Sequence, residues 1–304
     1  MDIKKALEKT FTTVLNMKAQ GHVASYIPEL KKVNPDQFAV SLTTTDMKKY
    51  QQGNSKVRFS IQSIAKVLSL SFAYKLMGEK IWKRVGVEPS GSAFNSLVQL
   101  EYSNGIPRNP LINSGAIVVC DILMSQLKNP EEELIQFIRN ITDNQKINYN
   151  LKVANSEKKQ GYKNSAMTHL MKSYENIKNK PEDVLDLYFK LCSIELNCIE
   201  LSSLFLYLAN SGVDPKTKRR ILSKSQAKRI NAILLSCGFY DESGEFTFKV
   251  GLPGKSGVGG GIIAIYPQHY CLAVFSPRLN SKGNSYKGMK FLEDFTSRTK
   301  MSIF

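Results

Sequence analysis

Runs that read as β-strand fall near the two ends of this 304-residue chain, and most of what lies between them carries a helical pattern. Gln37–Thr44 (QFAVSLTT) alternates apolar and polar residues, and Val57–Phe59 is a short run that could pair with it. Phe246–Val250, Gly261–Tyr266 and Tyr270–Ser276 are β-branched or aromatic runs separated by glycine and proline. Between the two groups, 63–77 is a long apolar-rich stretch that reads as a buried helix. Helical spacing follows over 115–127, 131–142, 164–177, 182–193, 197–210 and 224–236, with terminal helices at 2–19 and 286–299. The segment Val85–Asn113, dense in Gly, Pro, Asn and Ser, reads as loop. Strands at both ends with helices between predict one antiparallel sheet assembled from both termini, with a helical insert packed against it. The expected class is α/β (α+β). Residues 1–60 plus 237–304 would form a sheet-containing part and 61–236 a mainly helical part, one catalytic unit with its site at the seam.

Composition narrows the function. Apolar residues make up 42% and charged residues 22%, ordinary for a soluble globular protein. No stretch approaches the length of a bilayer span, and the lysine-interrupted N-terminus lacks a signal-peptide pattern, so a cytoplasmic protein without membrane attachment is expected. Cys120, Cys192, Cys198, Cys237 and Cys271 are odd in number and match no zinc or redox spacing; most have apolar neighbours and should be buried thiols. With His22, His169 and His269 alone, none paired at ligand spacing, a His-based metal site or a Ser-His-Asp triad is short of parts. The formal charge of +16 invites a nucleic-acid or anionic-surface reading. The lysines are nevertheless spread along the chain. The densest run, Lys216, Lys218, Arg219, Arg220, Lys224, Lys228 and Arg229, fits a solvated turn and helix start without interleaved aromatics. Nucleic acid is therefore not the expected partner, and salt-dependent binding is the observation that would reopen the question.

Three short motifs carry chemistry. In Ser63-Ile64-Ala65-Lys66 the hydroxyl and the amine lie three residues apart, on one face of a helix. Serine needs a base to act as a nucleophile, and lysine can be that base when burial and the helix dipole keep it neutral. Alone, S-x-x-K is a common chance match. Lys255-Ser256-Gly257, within GLPGKSGVGGGIIAIY, resembles the K-T-G element of penicillin-recognising enzymes, in which S-x-x-K comes early and K-T-G late on a strand facing the serine. A Gly-rich turn is the plainer alternative; a P-loop is excluded by spacing. Asn113, in PRNPLINSGAI, stands where a loop enters a helix, and on local grounds a simple N-cap explains it.

Taken together, FSIQSIAKV, VGVEPSGSAFNS, PRNPLINSGAI, LYFKLCSIEL, SCGFYDESGEF and GLPGKSGVGGGI resemble, in order, the blocks of the glutaminase family over about residues 22–292. The resemblance implies the serine β-lactamase/penicillin-binding-protein fold and no cofactor. It implies hydrolysis of L-glutamine to L-glutamate and ammonia, and a homodimer or homotetramer of the compact bacterial type. It makes Ser63 the nucleophile, Lys66 the general base, and Tyr26 and Tyr240 tyrosines at the reacting centre. Gln62, Asn113, Glu157, Asn164, Tyr188 and Val258 match substrate-contacting positions, Val258 through its backbone N–H. Without that match the three tyrosines read equally well as half-buried core aromatics, and Glu157 as part of a solvated loop. Ser114 and Gly254 stand where alanine is common in the family, and neither is a named catalytic position.

Overall fold

The main sheet draws its strands from both ends of the chain. A computed structural model describes residues 2–18, 20–90 and 97–304; Gly91 and Phe94-Asn95-Ser96 of the glycine-rich loop lie outside the described residues. Strands β1 (Ala39–Thr44) and β2 (Lys49–Gly53) come from the N-terminal part. Strands β5 (Gly254–Ser256), β6 (Gly261–Tyr266) and β7 (Tyr270–Phe275) come from the C-terminal part. They pair antiparallel in the order β2-β1-β7-β6-β5. A separate two-stranded pair joins β3 (Phe59–Ser60) to β4 (Glu195–Leu196).

The period of two along the strands divides the sheet between two cores. Val40, Leu42, Ile262, Ala264, Leu272 and Val274 face one way, onto α1 (Ile3–Leu15) and α13 (Tyr286–Thr299), where Leu7, Phe11, Phe291 and Phe295 are buried. Ile263, Ile265, Cys271, Ala273 and Phe275 face the other way and join the larger core of the helical part. At the centre of that core runs α2 (Ala65–Met77), which packs on α4 (Asn113–Gln126) and α8 (Pro181–Cys192). Its Val67, Leu68, Leu70 and Ala73 are fully buried. The remaining helices are α3 (Leu97–Tyr102), α5 (Pro130–Thr142), α6 (Leu151–Gln160), α7 (Tyr162–Ser173), α9 (Cys198–Leu204), α10 (Leu206–Ala209), α11 (Lys224–Cys237) and α12 (Ser243–Val250).

Several sequence expectations need correction. Phe246–Val250 is not a strand; it closes α12. Phe246 and Val250, four apart, share the buried face while Phe248 is 88% exposed, whereas a strand would put all three on one side. Gly251, at φ 64, then ends the helix in the left-handed conformation. Val57–Phe59 does not join the main sheet: β1 is flanked by β2 and β7, and Phe59 pairs with Leu196. The polar β2 (KYQQG) and the polar α6 (LKVANSEKKQ) offered no apolar pattern to read. The 197–210 helix is two short pieces that break at Phe205, and α7 runs over 162–173 rather than 164–177. The loop around 85–113 contains the short α3. All five cysteines are free and buried, as expected. The basic run lies on an exposed turn and on the outer face of α11. No helix among the described residues is long and apolar enough to cross a membrane.

Candidate active site

The site forms where α2, α4, α8 and the β5–β6 turn converge. A 3-10 turn, Gln62–Ile64, leads into α2 and carries Ser63. Gln62 is buried at φ 51, a left-handed backbone costing a non-glycine residue about 1–2 kcal/mol; strain of this kind concentrates at functional sites. Its side chain donates to Ser60 Oγ at 3.1 Å. The sharp entry sets Ser63 on the cavity wall at 8% exposure, while Lys66, in the first turn of α2, is 2% exposed beneath it.

Lys66 Nζ donates to Leu111 O at 3.1 Å and to Asn113 Oδ1 at 2.7 Å. Burial lowers its amine to about 8, against the opposing influence of Cys192, Glu157 and Cys120. A neutral amine has two N–H donors and one lone pair. Both donors are engaged here, so in the neutral form the lone pair is what remains for a neighbouring hydroxyl.

Asn113 is the first residue of α4, but its side chain does not cap the helix. Its Oδ1 holds Lys66, and its Nδ2 donates to Asn164 Oδ1 at 3.0 Å. The turn that leads into α4 is held instead by Asn109, whose Oδ1 accepts from the N–H groups of Leu111 and Ile112. The simple N-cap explanation of Asn113 therefore fails.

The opposite wall comes from the C-terminal part. A Cβ on Gly257 would stand 2.6 Å from Ile61 O and 3.4 Å from Ser63 N, so glycine is required for the β5 end to lie against the backbone carrying the serine. This seats Val258 beside Ser63. Lys255 is fully buried and donates to Gly238 O at 3.0 Å and Ser256 O at 2.7 Å, with its Nζ 4.3 Å from the centre of the Tyr240 ring. Burial, followed by the nearby Lys66, holds Lys255 well below the ordinary lysine range. Tyr240 is at φ 57; burial pushes its phenol up to about 12, and a hydrogen bond with Ser63 acts in the other direction.

Glu157, on the polar helix α6, is turned inward. Burial raises its carboxyl to about 7, while Gln62 and Lys66 pull it down. Its Oε1 is buried without a protein partner, a carboxylate oxygen facing the cavity. The cavity measures about 510 Å³. Nine of the ten residues expected at the site line it: Tyr26, Gln62, Ser63, Asn113, Glu157, Asn164, Tyr188, Tyr240 and Val258; the tenth, Lys66, lies just below. Tyr26 is 58% exposed and forms part of the mouth. Cys192, Gln160 and Tyr162 also line the cavity, though the sequence marks none of them as a site residue. For Cys192 a signal existed: it stands four residues after Tyr188, on the same face of α8. The sequence marks Lys255 only as part of the Lys255-Ser256-Gly257 motif.

A serine on a strained turn, a buried amine lowered to about 8 and a buried carboxylate oxygen without a protein partner are parts of an acyl-transfer site for a substrate that carries a positively charged group. Comparison with known proteins bears on the reaction. A family model described as Glutaminase matches residues 21–304. A glutaminase of Saccharophagus degradans is 55% identical over 100% of this chain and 99% of its own length. One of Christiangramia forsetii is 50% identical over 100% of both. Among solved structures, a probable glutaminase, ybaS, superposes with a TM-score of 0.93 at 32% identity, covering 99% of this chain and 98% of that one. A probable glutaminase from Bacillus subtilis, complexed with 6-diazo-5-oxo-L-norleucine, gives 0.85 at 28% identity, covering 99% of this chain and 95% of its own.

Proposed function

The chain belongs to the glutaminase family, and from that premise we propose that it hydrolyses the side-chain amide of L-glutamine to L-glutamate and ammonia through a glutamyl ester of Ser63. The observation that carries the mechanism is the bonding of Lys66: a buried amine near about 8 whose N–H groups are both engaged, one helical turn from the serine. Neutral Lys66 takes the Ser63 proton, and Oγ attacks the amide carbon. The backbone N–H groups of Ser63 and Val258 hold the developing oxyanion, each donor worth ~3 kcal/mol in the transition state. The C–N bond breaks as the amide nitrogen gains a proton, relayed by Tyr240 or Tyr26, and ammonia leaves. Water then attacks the ester with the same groups in reverse, regenerating Ser63 and releasing glutamate.

Glu157 faces the cavity with an unpaired carboxylate oxygen, the complement of an α-ammonium. Asn164, Tyr188 and Gln62 supply neutral polar groups around it. The part built from residues 1–60 and 237–304 and the helical part 61–236 act as one catalytic unit, each supplying a wall. The five buried free thiols support a reducing, cytoplasmic setting. Exposed Val98 and Tyr102 on α3 offer apolar surface for a homodimer or homotetramer.

Ammonia release from glutamine by the purified protein tests the reading, and absence of turnover above background would end it. The pH dependence tests the mechanism. The base must be deprotonated, so kcat should rise with pH through a midpoint near about 8, the direction set by Lys66. Glu157 must be ionised to bind the α-ammonium, so KM should worsen as pH falls through about 7. A kcat that stays flat from about pH 6 to about 9 would remove Lys66 from the role. Glu157→Gln should raise KM roughly 10- to 100-fold, from the ~1.5–3 kcal/mol of a hydrogen bond to a charged group. Steady-state kinetics reads this directly, and an unchanged KM would place the α-ammonium elsewhere.

A further inference from the structure

Tyr240 sits on a short 3-10 turn, Tyr240–Glu242, in a left-handed backbone conformation that a tyrosine does not hold without help. Some of that help is local: Ser243 Oγ accepts from the Phe239 N–H at 3.0 Å and donates to Tyr240 O at 3.1 Å. The rest comes from a distant loop. Glu242 is 8% exposed, and both of its carboxylate oxygens accept from Asn280 Nδ2 at 3.0 Å. Asn284 Nδ2 donates to the same carboxylate. The receiving loop is itself rigid. Asn280 N–H donates to Asn284 O at 2.8 Å, and Asn280 Oδ1 accepts from the N–H groups of Lys282 and Asn284 at 3.0 Å each.

The same loop is tied at its other end to the segment carrying Tyr26. His22 and Leu279 exchange both backbone bonds, at 3.1 Å and 2.9 Å. A Cβ on Gly21 would stand 2.1 Å from Leu279 O, so the two backbones are in direct contact. Leu279 packs with Ala24 and Ile27, on either side of Tyr26, and against Val258. One loop, 279–285, thus holds the backbone on both sides of the cavity where the proton relay is placed.

We propose that Glu242 is a positioning residue for catalysis: clamped by Asn280 and Asn284, it holds the Tyr240 phenol in register with Ser63. The inference rests on the reading of Tyr240 as a proton-relay group. A buried carboxylate fixed by two amides is costly to solvate otherwise, and it converts a strained turn into a fixed one. Glu242 touches neither substrate nor reacting atoms, so its effect should fall on kcat and pass through Tyr240.

The experiment is a double-mutant cycle on the full chain with Glu242→Ala and Tyr240→Phe, reading kcat and KM for glutamine. Glu242→Ala should lower kcat about 10- to 30-fold, part of the ~10²–10⁴ that a positioned proton donor supplies, with KM changed less than about 3-fold. In the Tyr240→Phe background the same substitution should cost less than about 2-fold. Glu242→Gln keeps an acceptor oxygen and, after a flip of the Asn284 amide, can donate to its buried Oδ1, which lacks a partner; it should restore most of kcat. Equal losses in both backgrounds, or wild-type kcat for Glu242→Ala, would overturn the proposal. Wild-type kcat for Tyr240→Phe alone would remove the relay reading, and the positioning role with it. Should Glu242→Ala fail to fold, Asn280→Ala takes its place in the same cycle, with the same outcomes deciding.

Discussion

Ser63→Ala is expected to reduce glutamine turnover by at least about 10⁴-fold while leaving the protein folded and able to bind glutamine. The magnitude follows from the chemistry. In serine acyl transfer the nucleophile and its base work as a unit, and losing either leaves only what the oxyanion donors and binding groups supply. Substrate recognition is assigned to Glu157, Asn164 and Tyr188, none of which bonds the Ser63 hydroxyl, so calorimetry should still detect glutamine. The fold should hardly respond. Ser63 contributes one small side chain on the cavity wall, and its hydrogen bond with Tyr240 is worth ~1 kcal/mol at most in net stability. The decisive measurement is ammonia release by the purified variant beside the parent. Activity within about tenfold of the parent would mean that water attacks the amide directly and that no ester forms.

How much of this was legible in the amino-acid order depends on whether each feature is local. The spacing of Ser63 and Lys66 is local, so one helical turn brings them together whatever surrounds them. β6 and β7 are short runs of large apolar residues between turns, and they read correctly because both faces are buried. Phe246–Val250 misled for the converse reason. Phe, Thr and Val favour strands intrinsically, yet the tertiary setting buries positions four apart and exposes Phe248. Glu157 looked like a solvated residue among lysines; its burial is created by α8 and the 3-10 turn at Gln62, which no local pattern reports. The left-handed backbones of Gln62 and Tyr240 are equally invisible, since neither residue type advertises the conformation. Glu242 belongs to the same class: its partners lie about 40 residues away, and only the packed structure brings them together.

Stability should be most sensitive at Asp121, two turns along the helix that begins with Asn113. Asp121 is fully buried on α4. Its carboxylate accepts from Arg84 Nη2 at 2.6 Å and from the Lys178 N–H. It also accepts from the Asn179 N–H and Nδ2 at 2.8 Å each. One side chain thus joins α4 to Arg84 and to the loop before α8. Burial alone would raise its carboxyl, but the hydrogen bonds from Asn179, Arg84 and Lys178 outweigh it and hold the group below the usual carboxylate range. Asp121→Ala removes the acceptor from all these donors and leaves Arg84, whose side chain is 19% exposed, beside a void. Breaking a buried pair by deleting one partner costs about 3–5 kcal/mol, and denaturant midpoints should show a loss of that order. Asp121→Asn should not rescue it, because an amide oxygen kept on the Lys178 and Asn179 donors turns the new NH2 toward Arg84 Nη2, donor against donor. The pH dependence supplies a second signature. A carboxyl lowered in the folded state contributes stability above its unfolded value and loses it as pH falls through the folded one, so the parent should weaken in acid below about pH 4. In Asp121→Ala that part of the acid slope should be missing. Turnover per folded molecule at low temperature should stay close to the parent's, because Asn113 is still placed by its own bonds to Lys66 and Asn164. A variant that unfolds with the parent's midpoint would show that solvent replaces the carboxylate at little cost and that the network does not hold α4 in place.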